Sequence, residues 1–153
     1  MLRRRLKKVK KMNNKDIKEA LNVLIRKVND SISLRCVILF GSRARKDYTP
    51  HSDIDIIFVG NFLEKFINRS SIVLENFDFH LGLGIDAFCY TPDEFEKMFY
   101  EGVVSILDAI DHGKCLHGLE FYKEYEKKLE YLKSKGLRRE PPVWILPAEM
   151  SID

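Results

Sequence analysis

The chain has 153 residues, 45% hydrophobic and 32% charged, which is one domain's worth of protein with apolar residues enough for a core. Eight glycines and five prolines exclude collagen-like and disordered compositions. No apolar run approaches the roughly 18 residues that span a bilayer, so no membrane association is expected. Three widely spaced cysteines (Cys36, Cys89 and Cys115) form neither a disulfide framework nor a Cys-x-x-Cys metal site, and fit a cytoplasmic location.

The charge is uneven along the chain. The net charge is +3, yet seven of the first eleven residues are basic and none is acidic. Setting those seven aside leaves −4 for the rest. The head, residues 1–12, reads either as an arm that touches nucleic acid (RNA) or an acidic partner, or as a solvated tail, since like charges in a block repel. It lacks the uninterrupted apolar stretch of a secretory signal. Met12 offers an alternative start that would leave it out.

From a cap at Asn13 or Asn14, Ile17, Leu21, Leu24 and Val28 recur at helical spacing up to Asp30–Ser31. Cys36–Phe40 is a short continuous apolar run that reads as a buried strand stopped by Gly41. After a polar loop, Ile54–Val59 is a second strand ended by Gly60. Phe62, Leu63, Phe66 and Ile67 mark a helix, broken near Ser70–Ser71 and resumed through Leu74. Ile85–Tyr90 is a third strand, and Thr91-Pro-Asp-Glu94 is a helix start with Thr91 as cap, Pro92 in the first turn and Glu94 closing a capping box. A further helix runs over Val103–Ile110, Lys114–His117 is a short strand, and Leu119–Lys135 is the last helix, with Gly136 just past it. The tail, residues 137–153, carries Pro141, Pro142 and Pro147 and reads as irregular, with Trp144 docking on the body or on a partner. Alternating strands and helices over residues 13–136 predict an α/β (α+β) domain with a small mixed β-sheet flanked by helices.

The segment with chemical content is Gly41-Ser-Arg-Ala-Arg-Lys-Asp-Tyr-Thr-Pro-His-Ser-Asp-Ile-Asp55. Asp53 and Asp55 stand two apart where a strand begins, so their side chains point the same way. Adjacent carboxylates repel, and a hard divalent cation, Mg²⁺ or Mn²⁺, is the usual resolution. Gly41 lets a ligand approach the backbone closely. Ser42 offers a hydroxyl and an N–H to a phosphate, and Arg43 and Arg45 can fork onto phosphate oxygens. Asp86 in the third strand completes a triad if that strand lies beside the second, and such a triad can hold two metals about 3.5–4 Å apart. His51 reads as a solvated loop residue, and His80, His112 and His117 have no ligand spacing.

Gly-Ser, a ten-residue spacer, Asp-x-Asp and a later single Asp resemble the signature of the nucleotidyltransferase superfamily of DNA polymerase β-like fold. The Gly-Ser-x-Ala-Arg opening resembles its minimal nucleotidyltransferase (MNT) subgroup. The resemblance covers roughly residues 17–135. It departs at Lys46, where the family often has glycine, and this bears on the loop rather than on the metal site. It implies that Gly41 and Ser42 bind the terminal phosphates of ATP. Asp53 and Asp55 would coordinate Mg²⁺, with Asp86 joining the metal site and helping to deprotonate an acceptor hydroxyl.

About 120 residues of catalytic core leave little to hold an acceptor, so a macromolecule that brings its own surface is expected. In the minimal subgroup the usual partner is a HEPN toxin, an RNase, which receives AMP on a tyrosine. The resemblance therefore implies an antitoxin acting by AMPylation. Two alternatives stand beside it: a nucleotidyltransferase acting on an RNA or tRNA end, and a non-catalytic antitoxin or binding module. A homo-oligomer is a further expectation.

Overall fold

A computed structural model describes residues 14–152. The basic head and Asn13 lie outside the described residues. The elements in chain order are α1 (Asn14–Ser31), β1 (Leu34–Phe40), α2 (Ser42–Arg45), β2 (Ile54–Gly60), α3 (Phe66–Asn76), a 3₁₀ turn (Phe79–Leu81), β3 (Ile85–Tyr90), α4 (Pro92–Tyr100), α5 (Val104–His112), β4 (Lys114–His117), α6 (Leu119–Ser134), β5 (Arg138–Glu140) and β6 (Val143–Ile145).

Four strands form one sheet in the order β3-β2-β1-β4. β2 and β3 run parallel, and β1 is antiparallel to both β2 and β4. Helices cover both faces, which is why β1 and β2 read as continuous apolar runs rather than alternating ones. On one face Val37, Ile54, Ile56 and Phe58 pack with Leu21, Leu24 and Val28 of α1 and Val73 of α3. On the other, Ile38, Phe40, Ile57 and Val59 pack with α4, α5 and α6. Phe95 and Phe99 are fully buried there and meet the Tyr125 ring edge-on, with centroids 4.9 and 5.1 Å away, a favoured geometry for aromatic pairs. Each such side chain contributes about 1.5–3 kcal/mol by leaving water.

Local signals in the sequence are realised. Thr91 Oγ1 accepts from the Glu94 N–H at 3.2 Å while the Thr91 N–H donates to Glu94 Oε1 at 3.2 Å, a complete capping box ahead of α4. The Tyr122 hydroxyl lies 3.0 Å from the Ile110 and Gly113 carbonyl oxygens and 3.3 Å from that of Ala109. It thereby adds a donor at the C-terminal end of α5, where the Ala109 carbonyl already accepts from the Gly113 N–H at 3.0 Å.

Two readings are corrected. The helix expected from Phe62 starts at Phe66 and runs unbroken to Asn76. Phe62 is apolar because it drops into the α1-side core just past β2. Ser71 continues the helix, its hydroxyl donating back to the Asn68 carbonyl at 2.6 Å. The tail expected to be irregular holds the β5–β6 hairpin. Its Trp144 docks on this chain's own body: the indole N–H donates to Asp108 Oδ1 at 2.8 Å, and Arg139 Nε donates to the same oxygen at 3.2 Å.

Candidate active site

The end of β1 and the starts of β2 and β3 meet at one end of the sheet. The ladders place Asp55 directly opposite Phe40 on β1 and opposite Asp86 on β3. The next residue after Phe40, Gly41, has φ 71° and ψ −156°, a conformation open essentially to glycine alone. A Cβ there would overlap the Asp55 carboxylate. Glycine is thus required both by the turn and by the close approach of an acid to the backbone that opens α2.

Asp53 precedes β2, and its carboxylate lies over Gly84, where an added Cβ would come 2.5 Å from Asp53 Oδ1. The Ile54 N–H donates to the Gly84 carbonyl at 3.0 Å, locking the two strand starts together. Asp53 and Asp86 are exposed, while Asp55 is half-buried between them. Burial pushes the Asp55 carboxyl above the usual carboxylate range. The charge of Asp86, a hydrogen bond with Asp86 and the charge of Asp53 add to the rise, and the Arg45 guanidinium opposes it. Carboxyls gathered this closely are a ligand set short of positive charge. This donor chemistry fits a hard divalent cation. Among the described residues, no three His, Cys, Asp or Glu side chains are gathered closely enough to close around an ion as they stand.

The loop from α2 to β2 is tied to this end. Arg43 Nε donates to the Ser52 carbonyl at 3.0 Å, next to Asp53, and its guanidinium lies 4.7 Å from the Tyr48 ring centre. The Thr49 N–H donates to Ser52 Oγ at 2.9 Å, closing the turn.

The nucleotidyltransferase domain family matches residues 17–149, most of the chain. The chain belongs to this family. A 47-residue stretch is 53% identical to MJ0604 of Methanocaldococcus jannaschii, described as a candidate protein adenylyltransferase; it covers 31% of this chain and 45% of that protein, so the match spans under half of the curated relative. Among solved structures, similarity extends to a candidate nucleotidyltransferase from Sulfolobus solfataricus (28% identical, 52% of this chain and 71% of that one, TM-score 0.43). It extends also to a toxin–antitoxin complex with AMP-PNP (18% identical, 74% and 92%, TM-score 0.45) and to a variant of the MntA–HpeT toxin–antitoxin (17% identical, 80% and 91%, TM-score 0.46).

Of the residues singled out in the sequence of this nucleotidyltransferase domain, Gly41, Asp53, Asp55 and Asp86 come together, and Ser42 opens α2 beside them. Arg45 stands near enough to act on Asp55 and is paired with Asp47, Nε to Oδ2 at 3.1 Å. Arg43 braces the loop as described above, and His51 is exposed. Cys89 and Tyr90 are buried at the end of β3.

Two features of the domain, Gly84 and Arg69, escaped the sequence reading, and a third, Lys46, was marked there as a departure that bears on the loop. Gly84 could have been found as the partner of Asp53 once β2 and β3 were paired. Lys46 stands where the family often has glycine and adopts φ 66°, left-handed backbone that glycine occupies most easily; its N–H returns to the Ser42 carbonyl and closes α2. Arg69, 9% exposed, donates to both Glu94 oxygens at 2.6 and 3.0 Å and to the Glu64 carbonyl at 2.9 Å. Nothing in the spacing of α3 marks it.

Proposed function

We propose that this protein is a protein adenylyltransferase that moves AMP from ATP to a hydroxyl of a protein acceptor. The observation that carries the reading is the meeting of Gly41–Ser42 with the Asp55–Asp86 pair at one sheet end. A glycine backbone that phosphate can approach lies against a cluster of carboxyls whose like charges a cation would relieve. Family membership supports the reaction class, and the name of the partial relative supports a protein as acceptor.

In this reading the Gly41 backbone and the Ser42 hydroxyl hold the terminal phosphates. Asp53, Asp55 and Asp86 would hold Mg²⁺, which when bound supplies charge neutralisation for the triphosphate. The acceptor oxygen forms a bond to the α-phosphorus as the bond to pyrophosphate breaks, and the hydroxyl proton passes to a carboxylate, for which exposed Asp86 is best placed. The protein's contribution is positioning and fixed charge. The acceptor proposed is a tyrosine of a HEPN-type toxin, on the resemblance to the minimal subgroup.

The test is ATP labelled on the α-phosphate, incubated with Mg²⁺ and lysate of the source cell, beside an Asp53→Asn variant. A protein band that needs Asp53, resists ribonuclease and is lost with protease is expected. Label that ribonuclease removes would replace the acceptor with RNA, and equal labelling by the variant would remove Asp53 from the metal site.

A further inference from the structure

A cleft of about 540 Å³ lies beside α2, between α1 and the β1–β4 edge. It is not the active site. Side chains alternate along β1, so Leu39, which lines the cleft, faces away from the side that Phe40 shares with Asp55. Lys114, cross-strand neighbour of Leu39 on β4, lines it too. The two sites meet only at α2, which offers Gly41 and Ser42 to the carboxylates and Arg43 and Ala44 to the cleft.

The lining is chemically one-sided. Lys15 and Lys18 from α1, Arg43 and Lys46 from the α2 turn, and Lys114 from β4 give five cations, and no carboxylate lines the cleft. Yet the protein without its head carries −4. The α1–α3 groove on the other side of α1 shows that the clustering is local, since Asp16, Glu19, Glu75 and Asp78 line it against the single cation Lys27. The floor of the cationic cleft is apolar, from Leu21, Leu39 and Leu116, and the Tyr48 ring joins the lining. Cations around an apolar floor with an aromatic ring suit a polymer that alternates phosphates with flat bases. A volume of 540 Å³ lies in the range of small-ligand pockets and suits about one nucleotide of that polymer. The seven basic residues that precede α1 in the sequence favour a polyanion over a single small anion.

We propose that this cleft is an interface for single-stranded RNA, with phosphates on the five cations and a base over the apolar floor. The proposal is independent of the adenylyl-transfer reading, and its test contains no ATP.

The test is fluorescence anisotropy of the full chain with a labelled RNA of about 12 nucleotides, over a salt series. The wild type is compared with Lys18→Ala/Lys114→Ala and Lys18→Arg/Lys114→Arg. Both lysines are exposed, so all three proteins should share one melting temperature. The alanine pair should bind at least about tenfold more weakly. Its slope of log affinity against log salt should be shallower by about 1.4, the loss of two single-strand phosphate contacts. The arginine pair, which keeps the charge, should bind as the wild type does. Unchanged affinity and slope in the alanine pair would overturn the proposal. So would loss of binding in the arginine pair, or competition by AMP or polyglutamate as effective as by unlabelled RNA.

Discussion

The two ends of the parallel β2–β3 pair handle charge in opposite ways. Where these strands begin, Asp53, Asp55 and Asp86 crowd like charges together, and Asp55 is held above the usual carboxylate range. Where they end, Arg69 reaches into nearly buried space and fastens Glu94, the Glu64 carbonyl and, at 3.4 Å, the Cys89 carbonyl. Burial there works against the Glu94 charge, but hydrogen bonds from Arg69 and Thr91 and the attraction of the guanidinium hold its carboxyl below the usual range. The same two strands thus carry an end that is stable as it stands and an end whose electrostatics improve when a cation arrives. The structural ion pair and the carboxylates proposed for function differ here in the direction in which Glu94 and Asp55 are shifted.

The largest change in stability should come from the paired end. Arg69→Met removes a nearly buried guanidinium and leaves Glu94, which is more than a third exposed and can be rewetted. A loss of about 2–3 kcal/mol, less than a fully buried broken pair would show, is expected in urea unfolding, with kcat of the folded fraction within about twofold of wild type. A kcat that falls with stability would break the separation of the ends.

Gly41→Ala acts at the crowded end. The Cβ must displace the Asp55 carboxylate, and the backbone must adopt φ 71° with a side chain. Transfer should fall by about ten- to a hundredfold, comparable to misplacing a reacting group by an ångström, with about 1–3 kcal/mol of strain visible in the melting temperature.

The ends also differ in the sign of their pH dependence. Glu94 has a lowered carboxyl in the fold, so its contribution is present above its unfolded value of 4.5 and is lost as pH falls below it. Asp55 has a raised carboxyl, so between its unfolded value of 3.8 and its folded one the native state holds the extra proton, and stability falls as pH rises. Glu94→Gln should flatten the acid side of the stability profile, and Asp55→Asn should remove the decline above pH 3.8. Urea midpoints from pH 3 to 8 would show both. The smallest effect expected is at Lys46→Gly, which relieves left-handed backbone while adding freedom to the unfolded chain. A change within about 1 kcal/mol, with transfer retained, would show that the lysine departs from the family pattern without harm to the site.

Legibility in the sequence followed the range of the physics. β1, β2 and β3 were readable because burial on both faces leaves unbroken apolar runs. The Thr91 capping box was readable because its partners are three residues apart. Gly41, Asp53 and Asp55 were readable because one short loop carries them, and Asp86 because an acid in an apolar strand needs a reason. What was hidden depends on partners distant in sequence. Arg69 is explained by Glu94 and the Cys89 carbonyl, 25 and 20 residues away, and the hairpin by Arg139 and Trp144 converging on Asp108. Phe62 mimicked helical periodicity because one buried aromatic residue serves either reading.

The central claim is that the carboxylate cluster is built for transfer at the expense of stability. Asp55→Asn tests it most directly, with label from α-phosphate-labelled ATP and a thermal melt measured on the same preparation. The account predicts transfer reduced by about a thousandfold at a melting temperature equal to or above that of the wild type. Retained transfer, or transfer lost together with a lowered melting temperature, would contradict it.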